Sequence, residues 1–581
     1  METVNVKING KEYAVPKSAT VLEAARYAGI DIPTLCYLKD VNEIGACRLC
    51  LVEVVGARGL VTACVYPVNE GMEILTNTPR VIAARKMNLE LVLSAHEKKC
   101  LSCPRSTNCE LQKLCNEYGV DETHFVINAN ADEKVKIEDD GLAIVRDNNK
   151  CILCRRCIGA CTNMQEIGVI GANNRGYDTV VSSAFGKELS SVACINCGQC
   201  IVACPVGALY EKDDTRAVAA AIADPSKHVV VTMAPSVRAA IGEEFGYEIG
   251  TDTEGKLIAA AKRLGFDAVY DLNFTADLTI LEEAHELVDR IANGGKLPMI
   301  TSCSPGWIKY CEHYFPEMIE NLSSCKSPQQ MFGAIFKTYY AKKFGWTPED
   351  TVVVSCIPCT AKKFEVKRDD QNAAGVPDVD YAITTRELAK MIREAGINFR
   401  ALANEEFDSP IGYGSGAGVI FGATGGVMEA ALRTAADVLG KTSFEKLDVS
   451  SIRGIEGIKF GEYKLGDLTV KVAVCSGTKN AKKLLKAVQA GEVDVQFIEV
   501  MACPGGCVNG GGQPIVPAVV RNNENIRAKR AAILYNADEK LAVRRSHDNP
   551  VIQALYKDFL GEPGSHKAHE ILHTTYVKRG L

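Results

Sequence analysis

The sequence predicts a multidomain chain of α+β and α/β type, in which small cysteine-bearing domains precede one large α/β domain. Three observations carry this expectation. The 581 residues exceed the ~250 to 300 at which a single hydrophobic core stops growing. Sixteen of the 24 cysteines lie before residue 205, mostly two or three residues apart. Beyond residue 214, β-branched runs alternate with helical patterns, and several run straight into cysteine loops. Hydrophobic and charged shares of 47% and 24% are ordinary globular values and exclude a disordered or collagen-like chain. The net charge of -6, from 66 basic and 72 acidic residues, supplies no field for a polyanion, so no nucleic-acid partner is expected. No apolar run nears the ~18 residues of a membrane span. The opening METVNVKINGKEYAVP lacks a basic segment followed by an apolar one, so the expected location is cytoplasmic. In such a compartment, bunched cysteines favour metal thiolates over disulfides.

Residues 1–79 form the first expected domain. Alternating Val4, Val6 and Ile8, the Asn9-Gly10 turn and a strand at Tyr13 to Val15 read as a hairpin. A helix over TVLEAARYAG follows, with Thr20 as N-cap, Glu23 at the capping-box position and Gly29 as stop. Cys36, Cys47, Cys50 and Cys64 then give C-x10-C-x2-C-x13-C, whereas zinc sites prefer two close pairs. The order resembles the β-grasp, plant-type ferredoxin module of complex I subunits and hydrogenases, which implies one [2Fe-2S] cluster.

Residues 80–142 open with a helical pattern, RVIAARKMNLELVLSAHE, expected to carry His96 at its end. Cys100, Cys103 and Cys109 complete H-x3-C-x2-C-x5-C, which resembles the His/Cys3 [4Fe-4S] site of the large complex I iron-sulfur subunit and multi-cluster hydrogenases. Imidazole in place of one thiolate removes a negative charge from the ligand set, one of the terms that tune cluster potential. Cys115 has no slot and reads as structural.

Residues 143–213 carry two C-x2-C-x2-C-x3-C runs, the pattern of a two-cluster ferredoxin in which each fourth cysteine ligates the other cluster. Cys151, Cys154, Cys157 and Cys204 would hold one [4Fe-4S] cluster, and Cys194, Cys197, Cys200 and Cys161 the other. Pro205 follows the second run and Thr162 the first. Four clusters in a row, one [2Fe-2S] and three [4Fe-4S], read as an electron conduit that needs an endpoint.

Residues 214–581 supply it. KHVVVTMAPSVRAAIGEEFG reads as a strand, a Pro-Ser turn and a helix, while TVVVSCIPC and VQFIEVMACPGGC are strands that end in cysteine loops. Sites in open α/β sheets lie beyond the carboxyl ends of strands, so the loops at Cys359 and Cys503 are expected to converge.

Three segments resemble the signature loops of [FeFe]-hydrogenases: TSCSPGW at 301–307, IPCTAKKFE at 357–365 and EVMACPGGCVNGGGQP at 499–514. With the cluster order, the resemblance covers essentially the whole chain and reaches four-domain enzymes, including NADP-reducing and clostridial ferredoxin-linked ones. It implies an H-cluster, a [4Fe-4S] cubane joined through a cysteine sulfur to a diiron unit with CO, cyanide and azadithiolate. By motif position Cys359 and Cys503 are cubane ligands, Cys507 bridges, Lys362 donates to cyanide, and Pro235, Ser236, Gln329 and Met501 line the pocket. The resemblance also places the Gly-rich segment 416–426 in this domain. It assigns Glu283, Glu286 and Arg290, spaced along one helix face, with Ser323, to a proton path that ends at Cys303.

The loop departs from the family's TSCCP, because Ser304 stands in the cubane-ligand slot. Either Ser304 ligates through oxygen, or Cys303 takes the ligand role, or Cys325 or Cys356 intervenes. The register from Pro305 keeps Cys303 as proton donor and Ser304 as the metal position. Dihydrogen and protons are the expected reactants. No G-x-G-x-x-G fingerprint follows a strand, so electrons are expected to pass to ferredoxin or to a flavin-containing NAD(P)-reducing subunit, and maturation proteins to build the diiron unit. A complex I-type subunit without catalysis would share the first cluster motifs but not the three loops.

Overall fold

The computed structural model describes residues 2–122, 124–125, 136–440, 449–455, 457–466 and 468–580. The chain packs as two compact units. The first holds Met1–Val192, Ala203–Tyr210 and Ile515–Glu524, and the second Ala193–Val202, Glu211–Pro514 and Asn525–Leu581.

In the first unit, strands Thr3–Ile8 and Lys11–Pro16 pair antiparallel across Asn9 and Gly10, both at positive φ (47° and 86°) as a tight hairpin turn requires. They belong to a five-stranded sheet with Met72–Leu75, Leu51–Val54 and Val61–Thr62. Helix Val21–Tyr27 starts with the expected reciprocal Thr20 and Glu23 box, and buries Val21, Leu22, Ala24 and Ala25 in the core that also holds Cys50 and Cys64. Helix Pro79–Ser94 is capped by Thr78 and ends two residues before His96. His96 therefore sits in the turn after the helix, where its Nδ1 meets the Lys150 carbonyl at 3.0 Å, a contact that a ring still within the helix would not be aimed to make.

The second unit holds two four-stranded sheets. In one, Ala268–Asp271, His228–Met233, Thr351–Cys356 and Tyr381–Ile383 run parallel in that order. In the other, Met299–Ile300, Phe497–Met501 and Leu468–Ser476 run parallel, and Ile458–Leu465 closes the edge antiparallel. The strands of the first sheet read as near-continuous apolar runs because helices cover parallel sheets on both faces, and Val229 to Met233 are all buried. Pro235 and Ser236 open a one-turn helix, Pro235–Arg238, instead of forming a turn. The helix expected there is only this one turn, and the chain continues as a 3-10 segment, Ile241–Phe245, stopped by Gly246 at φ 77°. The 21-residue helix Asn273–Asn293 ends at Gly294 in the left-handed conformation.

Asn42 is buried in the first unit, and its Nδ2 donates to the carbonyls of Cys36 at 2.8 Å and Cys154 at 3.0 Å. Asn42→Ala strips both carbonyls of this donor, so a loss of about 2 kcal/mol is expected, read as a lower denaturation midpoint of the full chain.

Candidate active site and iron-sulfur centres

The two sheets present their carboxyl ends to one place. The turns after Met233, Ile300, Cys356 and Met501 deliver Pro235, Cys303, Cys359 and Cys503 to the wall of one cavity of about 820 Å³. Ser304, Cys507, Lys362, Ser236, Gln329 and Met501 line it as well, so every pocket residue expected from the sequence faces the same space. Neither Cys325 nor Cys356 is part of its wall. Phe421, Pro328 and Ile357 also line it; the sequence pointed to the Gly-rich segment around Phe421 but to none of these three side chains, which apolar character alone does not distinguish from core.

The loop that carries Cys503 and Cys507 depends on backbone without side chains. Gly505 and Gly506 lie at φ 88° and 95°, a region L-residues rarely adopt. A Cβ at Gly510 would come within 1.9 Å of the Pro358 carbonyl oxygen, and one at Gly511 within 2.3 Å of the Cys197 carbonyl oxygen. Thr360 Oγ1 donates to Asn196 O at 2.7 Å, and Gln199 Nε2 to Asn509 O at 2.9 Å. Within the second unit the Cys194–Cys200 loop is thus laid directly on the signature loops, and Cys197 lines the cavity beside Cys503.

The wall fits a large cofactor with polar ligands. It is mostly apolar and carries five thiols and Ser304 on converging loops, while the buried Ser236 Oγ and Gln329 Oε1 have no hydrogen-bond partner, as groups aimed at a bound partner would. Lys362 Nζ reaches Glu365 Oε2 at 2.8 Å, Ser327 Oγ at 2.7 Å and Cys303 O at 3.3 Å. Glu365 Oε2 also accepts from Ser327 Oγ and Gln329 Nε2. Sequence reading missed Glu365; its one signal is the i, i+3 spacing from Lys362 in AKKFE. Ser304 Oγ accepts from Ala502 N–H at 3.2 Å. Burial and the neighbouring Glu283 carboxylate raise the Cys303 thiol well above its usual range.

Behind the cavity, Glu283 Oε1 accepts from the Ser302 N–H at 3.3 Å, and the Ser302 hydroxyl, which donates to the Cys325 carbonyl at 2.7 Å, lies 3.3 Å from the same oxygen. Ser323 Oγ lies against it and donates to Glu286 Oε2 at 2.8 Å. Arg290 Nη2 holds Glu286 Oε1 at 2.6 Å and also donates to the Leu322 carbonyl at 2.7 Å. Burial pushes the Glu283 carboxyl up to about 7. Ser302 and its link to Glu283 were not foreseen, because a serine in a loop carries no periodic signal.

The other cysteines group as follows. Cys50 and Cys64 Sγ lie 3.3 Å apart, and the Cys47 N–H reaches Cys36 Sγ at 3.4 Å. Cys103 packs against Gly207, where a Cβ would meet its sulfur at 2.4 Å. Cys109 caps helix Glu110–Tyr118, and Cys115 is buried within that helix; Cys100 is exposed. Cys151, Cys154, Cys157 and Cys204 line one cavity of about 360 Å³ in the first unit. Cys161 lies in the first unit, while Cys194, Cys197 and Cys200 lie in the second. Among the described residues no cysteine is in a disulfide.

Residues 227–511 match the model of the iron only hydrogenase large subunit, C-terminal domain, and 524–579 that of the iron hydrogenase small subunit. Over its whole length the chain is 46% identical to the NADP-reducing hydrogenase subunit HndD of Solidesulfovibrio fructosivorans, with 100% of both proteins covered. The chain belongs to the [FeFe]-hydrogenases. It is also 45% identical to iron hydrogenase 1 of Clostridium pasteurianum over 98% of this chain and 99% of that one. A structure of a variant of apo [FeFe]-hydrogenase HydA1 from Chlamydomonas reinhardtii matches 64% of this chain and 100% of its own at a TM-score of 0.57 and 44% identity. In the N-terminal region of the hydrogenase, residues 1–79 match a 2Fe-2S iron-sulfur cluster binding domain, 85–124 the NADH-ubiquinone oxidoreductase-G iron-sulfur binding region, and 141–210 the ferredoxin-like domain of NADH-quinone oxidoreductase subunit 3. The hydrogenase thus joins an iron-sulfur electron relay to an H-cluster domain and interconverts dihydrogen with protons and electrons. None of the described helices of the hydrogenase is long and apolar enough to cross a membrane.

Glu365→Ala leaves the Lys362 ammonium buried without its carboxylate, so a loss of about 3 kcal/mol is expected. Glu365→Gln keeps an acceptor for Ser327 and Lys362 and should recover part of it. Thermal melts of the two variants check the order.

Proposed function

We propose that the chain is the catalytic subunit of a multi-subunit hydrogenase whose electrons pass through one [2Fe-2S] and three [4Fe-4S] clusters to a flavin-containing NAD(P)-reducing subunit. The observation that carries this reading is the end-to-end match to a relative named as a subunit of an NADP-reducing hydrogenase. A free-standing, ferredoxin-dependent enzyme is the second reading, favoured by the nearly complete match to iron hydrogenase 1. The domain bounds that go with it are 1–79, 80–142, 143–213 and 214–581, and a cytoplasmic location is part of the proposal. An anaerobic ratio of reduced NADP to reduced ferredoxin, formed under hydrogen by the complex purified from its source, separates the two.

In this reading Cys359, Cys503 and Cys507 hold the H-cluster and Ser304 offers the fourth donor. The proximity of all four in one cavity supports it, and so does the Ser304 hydroxyl, which accepts only one hydrogen bond and keeps a lone pair to offer. The H-cluster, when bound, supplies the iron at which the bond of dihydrogen is made or broken, and maturation proteins install it. The chain's own residues then manage what surrounds it. Lys362, fixed by Glu365 and Ser327, presents an ammonium to anionic ligands in a dry pocket. Ser236, Gln329, Pro235 and Met501 shape the wall and exclude water. Cys303 exchanges the proton at the cavity, Glu283 takes it up, and Ser323 connects Glu283 to Glu286, which Arg290 holds at the outer end. A carboxyl that titrates near 7 gives up and regains a proton with little driving force lost in either direction, which is what a relay needs.

Glu283→Gln should lower hydrogen turnover about 10²-fold with iron content unchanged. Because the folded Glu283 binds its proton more tightly than an unfolded one, wild-type stability relative to Glu283→Gln should fall as pH rises from 4.5 through about 7, measurable as a pH series of Tm differences. Thiolate is a softer ligand than a serine oxygen, so Ser304→Cys should change the cubane's electron paramagnetic resonance spectrum, whereas Cys303→Ala should retain it. Loss of the cubane in Cys303→Ala would transfer the ligand role to Cys303. Intrinsic CO and cyanide infrared bands that shift under hydrogen are expected of the matured chain.

A further inference from the structure

Outside every iron site assigned above, one donor atom each of Glu286, Cys325 and His573 lie within 4.8 Å of one another. We propose that these three side chains form a zinc site, with water completing the shell, and that a zinc ion held there withdraws Glu286 from the proton relay. The effect on turnover rests on the relay described above, but the binding does not.

The donor set argues for zinc. A thiolate, an imidazole and a carboxylate together suit a borderline ion such as Zn²⁺, while Ca²⁺ and Mg²⁺ require oxygen ligands. The surroundings are those of a ligating histidine. His573 Nε2 pairs with Glu282 Oε2 at 3.1 Å, and Glu282 is in turn held by the Tyr556 hydroxyl and by the Gly564 N–H at 3.0 Å. A carboxylate on one ring nitrogen fixes the tautomer and leaves the other nitrogen with its lone pair. That nitrogen, Nδ1, lies 2.8 Å from the Ser324 hydroxyl, and the Ser324 N–H points at Glu286. The carboxylate of Glu286 is already divided between two tasks. Its Oε1 is bound by Arg290, while Oε2 faces the Cys325 thiol at 3.8 Å. An ion shared by Oε2 and Nδ1 displaces the Ser323 hydroxyl and competes with the Ser324 N–H and hydroxyl, while Arg290 stays on Oε1.

The three ligands stand on fixed backbone. Glu286 lies on helix Asn273–Asn293, and His573 follows helix His566–Leu572 directly. Cys325 pairs with His573 in a β-bridge, and its carbonyl accepts from Ser302 Oγ at 2.7 Å. Charge favours a dication, since Glu282, Glu283 and Glu286 face this point against the guanidinium of Arg290. The other titratable groups nearby are His569, His285 and Tyr576. Cys325 is buried and the His573 side chain nearly so, with exposed His569 stacked on His573 at ring centroids 3.9 Å apart. Binding exchanges the thiol proton of Cys325 for the metal, and that proton leaves to solvent.

The test uses matured, full-length protein equilibrated with zinc chloride and desalted. Elemental analysis should find one more zinc retained by the wild type than by Cys325→Ser or His573→Gln, with iron content equal in all three. Zinc-edge X-ray absorption should show a sulfur scatterer that Cys325→Ser removes. Hydrogen oxidation by the wild type should fall about tenfold or more on zinc addition and recover with a chelator, while each variant, compared with itself without zinc, should be insensitive. Zinc retention equal in wild type and both variants, or a zinc–sulfur signal that survives Cys325→Ser, would overturn the site. Zinc retained with undiminished wild-type turnover would uphold the site and remove Glu286 from the relay.

Discussion

The centre of this hydrogenase depends on how closely bare backbone can approach backbone. The loop after Cys507 passes so near the Pro358 and Cys197 carbonyls that no Cβ fits at Gly510 or Gly511. Those contacts bring the ends of two separate sheets and the Cys194–Cys200 loop onto one wall, and without them the thiols would face different spaces. Sheet topology supplies the rough convergence, because parallel strands all release their loops at one end. The glycines supply the last ångströms.

The second constraint is electrostatic, and two carboxylates resolve it in opposite ways. Glu365 is buried with a lysine, so the cost of removing both charges from water is offset by direct pairing and by hydrogen bonds from Ser327 and Gln329. Glu283 is buried without a cation in contact and takes the other course, holding its proton to about 7. The first arrangement gives a fixed charge beside the cavity and the second a movable proton behind it. One turn further along the same helix, Glu286 has Arg290 in reach and resembles Glu365 more than Glu283.

Much of this was legible in the sequence, for identifiable reasons. Ligand spacing along one segment is local, so the thiols at 36–64, 100–109 and 151–157 could be grouped before any contact was known. The strand-to-cysteine transitions at 356–359 and 501–503 also predicted convergence, since topology fixes where such loops go. What escaped were partners brought in from distant elements. Ser302, Glu282, Tyr556 and His573 acquire their roles only through contacts across tens or hundreds of residues, and Glu365 draws Ser327 and Gln329 from as far. His96 was misplaced onto its helix because apolar periodicity continues past the point where the ring must turn back to the Lys150 carbonyl. The helix expected after the Pro-Ser pair is one turn long, because the backbone leaves helical conformation at Ala240, φ -138°, before the 3-10 segment begins.

Helix Asn273–Asn293 has Ala276 in the cavity wall and Arg290 near its opposite end. Glu283, Glu286 and Arg290 are set by its pitch, each step close to one turn of about 5.4 Å. Such a rod tolerates exchange of side chains on its outer face but not a change of length. A single residue inserted or deleted between Ala276 and Arg290 would rotate everything beyond it by about 100° and turn the carboxylates from the Ser302 and Ser323 loops into apolar neighbours. Apart from its few exposed positions the segment is therefore held in composition and closed to insertion, the reverse of what holds for the surface loops that join the sheets.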